Sequence, residues 1–183
     1  MKNKILNFKL RAIQKNESPP TDIIVFDIDD TIFESVGTFE KDYDLNKFEK
    51  DNTFFRNLFT KKLPLFNSIK EYYYDYNFLV IIQTARAKKW WLPLVLFLRG
   101  VKYHYLIQRP KSNTQATGKL KKSQLVDFVL THKEIKNPFI SFIDDSKENR
   151  DEIQTLKFAN VYNAKEINKK GGKIWNIAKL ENN

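Results

Sequence analysis

The run Ile23-Ile24-Val25-Phe26 leads straight into Asp27-Ile28-Asp29-Asp30-Thr31. The apolar residues follow Pro19-Pro20 and read as a buried strand from about Asp22 to Asp27. Three carboxylates within four residues then end it, and that ending constrains the fold, because such charges cannot continue into a core. They belong at the carboxyl edge of a sheet, where open α/β sheets bind ligands. In the pattern Asp-x-Asp-x-Thr, Asp27 and Asp29 can share one hard cation, and Asp27 can also attack phosphorus. A plainer reading makes the same residues a loop that caps the next helix.

The rest of the chain repeats the strand-then-polar-end design. Strand two is Phe78 to Ile82, ending in Gln83-Thr84-Ala85-Arg86; strand three is Tyr103 to Ile107, ending in Gln108-Arg109-Pro110. Strand four is Phe139 to Ile143, ending in Asp144-Asp145-Ser146, and strand five is about Phe158 to Tyr162. Helical spacing predicts helices at about Lys47–Leu58, Pro64–Tyr74, Lys88–Leu98, Leu120–His132 and Lys147–Leu156, with a last short one around Ile174, Trp175 and Ile177. Alternation of this kind predicts an α/β fold, a doubly wound, Rossmann-like parallel sheet of about five strands. Parallel strands share a carboxyl edge, so Asp27-x-Asp29, Thr84 and Asp144-Asp145 are expected side by side. The 183 residues read as one domain, with a basic lead-in at 1–20, a small flap or insert at 33–60 and a tail helix within 165–183. Too few residues separate the first two strands for a large cap domain.

Composition excludes several classes. There is no cysteine, hence no disulfide framework and no thiolate metal site, and two histidines do not favour a multi-histidine centre. The longest apolar run, Trp90 to Leu98, is about half of a membrane span. Lys9 and Arg11 interrupt any signal-peptide core, so the chain is expected to be cytoplasmic. The net charge is +10, and its whole excess lies between Tyr76 and Val126, where ten Lys and Arg residues stand without one Asp or Glu. Charge confined to one segment suggests a polyanionic partner. Trp90-Trp91 is read as packing rather than as a platform for nucleobases, unless the rings prove exposed. His104 is read as a packed or surface residue, and Asp30 and Glu34 as shapers of their loop.

In order, the motifs Asp27-Ile28-Asp29-Asp30-Thr31, Thr84, a lysine in Lys119-Leu120-Lys121-Lys122, and Asp144-Asp145 resemble those of haloacid dehalogenase superfamily phosphohydrolases, over about Asp22 to Tyr162. Thr84-Ala85-Arg86, Gln108-Arg109-Pro110 and Ile143-Asp144-Asp145-Ser146 bring the resemblance nearest to the 3′-phosphatase domain of phage-type polynucleotide kinase-phosphatases. Gly118-Lys119 lacks the other residues of a Walker A loop, so no kinase activity is expected. The resemblance implies that Asp27 is the nucleophile and Asp29 the general acid and base, with Asp29 raised in pKa while Asp27 stays ionised. It also implies Mg²⁺ held by Asp27, the Asp29 carbonyl and either Asp144 or Asp145. Thr84 would hold a phosphate oxygen, and Lys121 or Lys122 would offset its charge; Ala85, Arg86 and Arg109 would line the substrate. The expected substrate is a phosphorylated nucleic-acid end, in particular a 3′-phosphate. The alternatives are free nucleotides or other small phosphate esters, or a nucleic-acid-binding protein with a vestigial site. Oligomeric state is not legible in the sequence.

Overall fold

Strand β1 (Asp22–Phe26) runs through the middle of the molecule because both of its faces are apolar. Ile24 and Phe26 point to one side and Ile23 and Val25 to the other, and all four are buried. The computed structural model describes residues 22–35, 53–75, 77–133, 135 and 138–174. Within them β1 pairs in parallel with β2 (Phe78–Ala87) and β4 (Phe139–Asp144), and β3 (Tyr105–Arg109) and β5 (Ala159–Asn163) complete a five-stranded sheet of order β3-β2-β1-β4-β5. The predicted doubly wound α/β fold is the fold present.

Helices cover the two faces. On the Ile24 side, Leu65, Ile69 and Tyr72 of α2 (Leu65–Tyr74) pack with Leu92 and Leu96 of α3 (Leu92–Leu98) and with Ile167 of α6 (Ala164–Lys169). On the Ile23 side, Leu125 and Phe128 of α4 (Thr117–Thr131) pack with Ile153 of α5 (Lys147–Gln154). The short helix α1 (Phe54–Phe59) lies in the insert between β1 and α2, capped by Thr53. The insert begins and ends on a small clasp, in which Glu34 N–H donates to the Lys61 carbonyl and Leu63 N–H to that of Ile32.

Several boundaries differ from the expectations. β2 continues to Ala87, so Thr84-Ala85-Arg86 is strand rather than the loop after it, with a register shift against β3 at this point. β3 starts at Tyr105 because His104 serves as a backbone partner itself: its N–H donates to the Val80 carbonyl and its Nδ1 accepts from the Val80 N–H, each at 2.8 Å. Its ring stacks on Tyr73, so the packed reading of His104 is the one the structure takes. Helix α3 begins at Leu92 and α4 at Thr117. The packing reading of Trp90-Trp91 is correct for Trp91, which meets the core and Phe54. It is wrong for Trp90, which is 84% exposed in the turn before α3. The basic lead-in, residues 36–52 of the flap, and the tail segment with Trp175 and Ile177 lie outside the described residues. Among the described residues no helix is long and apolar enough to cross a membrane.

The segment after β5 locks the loop that follows β1. Asn168 accepts from the Leu65 N–H at 2.8 Å and donates to the Thr31 carbonyl at 3.0 Å. Gly172, at φ +78°, presses its bare Cα on the start of α2, where a Cβ would stand 2.4 Å from the Pro64 carbonyl carbon. The neighbour is backbone and cannot yield by a rotamer change. Gly172→Ala is therefore expected to lose about 2 kcal/mol or more, lowering Tm by roughly 4–8 °C in a thermal melt.

Candidate active site

Register brings the acids together. Phe26 pairs with Ile143 across β1 and β4, so the next residues, Asp27 and Asp144, stand side by side at the carboxyl edge of the sheet. The Asp27 N–H donates to the Ile143 carbonyl at 3.0 Å, which fixes this edge. Asp144 is wholly buried and held on three sides. The Ser146 N–H donates to its Oδ1 at 2.8 Å, and the Asn149 amide donates to both carboxylate oxygens at 3.1 Å. Ser146 also caps α5, so the helix start and the carboxylate are set by one turn.

Lys121 comes from the side. It lies in α4 next to Leu120, and the Gln83 amide donates to its carbonyl at 2.9 Å, fastening this turn of α4 to β2. Its side chain, 1% exposed, carries Nζ to 2.6 Å from Asp27 Oδ1 and 2.5 Å from Asp144 Oδ2. Lys122, one residue on, points to Glu152 at 3.9 Å and is partly exposed. The geometry thus separates the two lysines and places Lys121, and not Lys122, in the carboxylate cluster. Burial works against the Lys121 charge, but Asp27 and Asp144 outweigh it and hold the ammonium above the ordinary lysine value. Burial pushes the Asp27 carboxyl well up; Lys121 opposes this, and Asp144 and Asp29 reinforce it. An amine that keeps its proton 2.6 Å from a carboxylate oxygen makes an ion pair. The Lys121 ammonium therefore favours the charged form of Asp27, against the burial that raises its carboxyl.

Asp29 goes elsewhere. Arg86 forks onto it, Nε donating to Oδ2 at 2.8 Å and Nη2 to Oδ1. Its carboxylate is outside the group of acids that could take a metal, a correction to the expectation that Asp27 and Asp29 carboxylates share a cation. Asp27, Asp144 and Asp145 form that group, each with one oxygen within 4.8 Å of the others. Three acids outnumber the ammoniums of Lys121 and Lys165 that meet them, and their hard oxygen donors fit a divalent cation such as Mg²⁺. Asp145 is also pushed up by burial, while Lys165, 3.1 Å away, draws it down. Asp30 turns the chain at φ 49° and accepts from both the N–H and hydroxyl of Ser35, so it shapes the loop.

The remaining candidates divide. Thr84 is wholly buried, and its Oγ1 accepts from the Arg86 N–H at 3.2 Å while keeping a proton to donate. Arg109 is engaged with the chain: it donates to the carbonyls of Ala85, Asn113 and Gln115 and to Thr117 Oγ1, which braces the β3–α4 loop. Ala85 contributes its carbonyl to that brace rather than to a ligand. Sequence reasoning missed Asn149 and Gln83, which orient Asp144 and Lys121, and Asn57, whose Oδ1 accepts from Arg86 Nη1.

The protein shares its fold with a chain in the structure of the Pnkp1/Rnl/Hen1 RNA repair complex, at TM-score 0.56 and 15% identity over 78% of this chain and 42% of that one. A second structure of the Pnkp1/Rnl/Hen1 complex gives TM-score 0.50 and 14% identity over 78% and 45%. The parallel α/β fold expected from the sequence is the one shared with these two chains. The chain spans less than half the length of those two neighbours. The HAD domain of the effector protein Lem4 from Legionella pneumophila superposes at TM-score 0.47 with 16% identity, over 88% of this chain and 93% of that one. No family model and no curated protein matches the sequence.

Replacing Lys121 by Met leaves buried carboxylates unpaired, and loss of one partner of such a pair costs about 3–5 kcal/mol. Burial then acts unopposed on Asp27. An acid raised above 3.8 binds more protons folded than unfolded, so stability falls as pH rises from that value. The Lys121→Met deficit is expected to be largest near neutrality and to shrink toward about pH 5, in denaturant melts run with chelator.

Proposed function

We propose that the protein is a Mg²⁺-dependent phosphomonoesterase that removes a terminal phosphate, in particular a 3′-phosphate, from nucleic acid through an aspartyl-phosphate. The observation that carries the phosphatase reading is Lys121 held between Asp27 and Asp144 at the carboxyl edge of a parallel sheet. Lys121 holds Oδ1 of Asp27 and favours its charged form, leaving Oδ2 to attack phosphorus. As that bond forms, the ester P–O bond breaks, and Asp29 gives a proton to the departing alkoxide. Asp29 then takes a proton from the water that splits the aspartyl-phosphate, which frees phosphate and restores Asp27. Both oxygens of Asp29 engage Arg86, so the acid step needs Arg86 to release one of them. An arriving phosphate oxygen is a competent replacement acceptor, and Thr84 has a hydroxyl proton for another. Asp27, the Asp29 carbonyl and Asp144 or Asp145 would hold Mg²⁺, which supplies charge neutralisation on the phosphoryl oxygens.

A nucleic-acid substrate is favoured by the exposed Trp90. It follows Lys88 and Lys89 in the turn that leaves β2 at the edge bearing the site. An exposed indole flanked by cations suits a stacked base and its phosphates. The shared fold with a component of an RNA repair complex points the same way. One observation favours the small-ester reading: Arg86, Arg99 and Lys121, three of the ten cations in the acid-free window, are buried. A vestigial site is disfavoured by the intact carboxylate and lysine constellation.

Asp27→Asn should abolish phosphate release from every ester while the protein remains folded. Asp29→Asn should cut turnover of alkyl phosphates by about a hundredfold or more but spare nitrophenyl phosphate, whose leaving group needs no proton. Steady-state assays with Mg²⁺ and with chelator check both, and the chelated enzyme should be inactive.

Trp90→Ala should weaken binding of a 3′-phosphorylated oligonucleotide at least about fivefold, since a base–aromatic stack is worth about 1–3 kcal/mol, and leave nitrophenyl phosphate unchanged. Neutralising Lys88 and Lys111 should make the log–log salt dependence of oligonucleotide affinity shallower by somewhat under one unit per lost phosphate contact. Equal effects on oligonucleotide and small ester would favour the small-molecule phosphatase.

A further inference from the structure

Helix α1 is held to the domain by a polar contact. Its outward residues Phe55 and Phe59 are exposed, and its one buried residue is Asn57, 4% exposed. Two buried arginines meet at this asparagine. Arg86 Nη1 donates to its side-chain Oδ1, and Arg99 Nη1 donates to its backbone carbonyl at 2.8 Å. Arg99 goes on to the carbonyls of Leu58 at 3.1 Å and Thr60 at 2.6 Å, closing the C-terminal end of α1, and lies 4.2 Å over the Phe33 ring. The Asn57 amide nitrogen donates to the Thr53 carbonyl at 2.7 Å, one turn back, which fixes which way Oδ1 faces.

We infer that Asn57 is a positioning residue, which sets the plane of the Arg86 guanidinium and, through it, the carboxylate of Asp29. The inference rests on Asp29 being the acid and base of the proposed phosphatase. A guanidinium forked on a carboxylate is planar with it, but the pair can still swing together about the side-chain bonds. A third bond on the remaining nitrogen, from an acceptor that is itself fixed, removes that freedom. Asn57 supplies it from the insert. Residues of the insert thereby become part of the working site without touching the substrate, and anything that lifts α1 would move Asp29. Asn57 also suits the requirement that Arg86 yield an Asp29 oxygen to phosphate. A neutral amide holds the arginine in place without competing for its charge as a carboxylate would.

The test has two readouts. The first is the Arg86 Nε–H in a nitrogen-15 spectrum, followed by hydrogen exchange without substrate. In Asn57→Ala it should exchange at least about tenfold faster than in the wild type, as a guanidinium with one hold fewer swings more and opens to water. The second is turnover. Asn57→Ala should lower kcat for an alkyl phosphate by about 10- to 100-fold, with KM changed less than about twofold and nitrophenyl phosphate nearly unaffected. If Asn57→Ala does not fold, Asn57→Asp decides. It keeps an acceptor for Arg86 and so holds α1, but its charge draws the guanidinium from Asp29, and it should show the same selective loss. Unchanged Arg86 exchange, or an equal loss on both esters with unchanged exchange, would overturn the inference and leave Asn57 an anchor of α1 only. If the wild type hydrolyses no ester, the phosphatase reading fails, and Arg86 exchange still decides whether Asn57 positions the pair.

Discussion

Two parallel strands that end in aspartate at the same level place two carboxylates about one strand spacing apart. With Asp144 wholly buried and Asp27 nearly so, their repulsion is little screened by water. The ammonium of Lys121 makes that arrangement tenable, and it does so by touching one oxygen of each. Much of the surrounding structure serves this contact. Gln83 fixes the turn of α4 that carries the lysine, and the α5 start and Asn149 hold Asp144. A triad of this kind contributes little net stability, because desolvation offsets the attraction. Its consequence is chemical: an ammonium that keeps its charge between two buried carboxylates, beside a third acid with which they could hold a divalent cation.

The second organising feature is how the chain uses its arginines. Read as a linear pattern, the acid-free stretch looks like a surface for a polyanion. In the fold, Arg86 binds a carboxylate from the loop after β1, while Arg99 and Arg109 bind backbone carbonyls at a helix end and in a loop. Arg86 and Arg99 are answered by Asp29 and by α1, outside the stretch, and Arg109 by carbonyls within it, so the lack of acids nearby in sequence says little about net surface charge. What remains for a ligand is lysine, with Lys88, Lys111 and Lys119 exposed, and the outward ring of Trp90.

The fold and the edge that bears the site were legible in the sequence. Apolar runs such as Ile23–Phe26 and Leu79–Ile82 suit strands buried on both faces, and their alternation with helices points to a covered parallel sheet. Parallel strands then bring Asp27, Thr84 and Asp144 to one edge without any further information. Tertiary structure decided what depends on phase and on distant partners. Successive residues of a helix differ by about 100° in direction, so whether Lys121 or Lys122 enters the cluster depends on how α4 is seated, and Gln83 settles that. Asp29 follows Asp27 by two residues, yet a guanidinium from β2 turns it away from the cation group. Asn57 and Asn149 carry no local signal, because an amide gains its role only from the charged group it meets across the fold. Sequence fixes which residues must be buried and where strands must end; side-chain direction at that edge belongs to contacts between segments far apart in the chain.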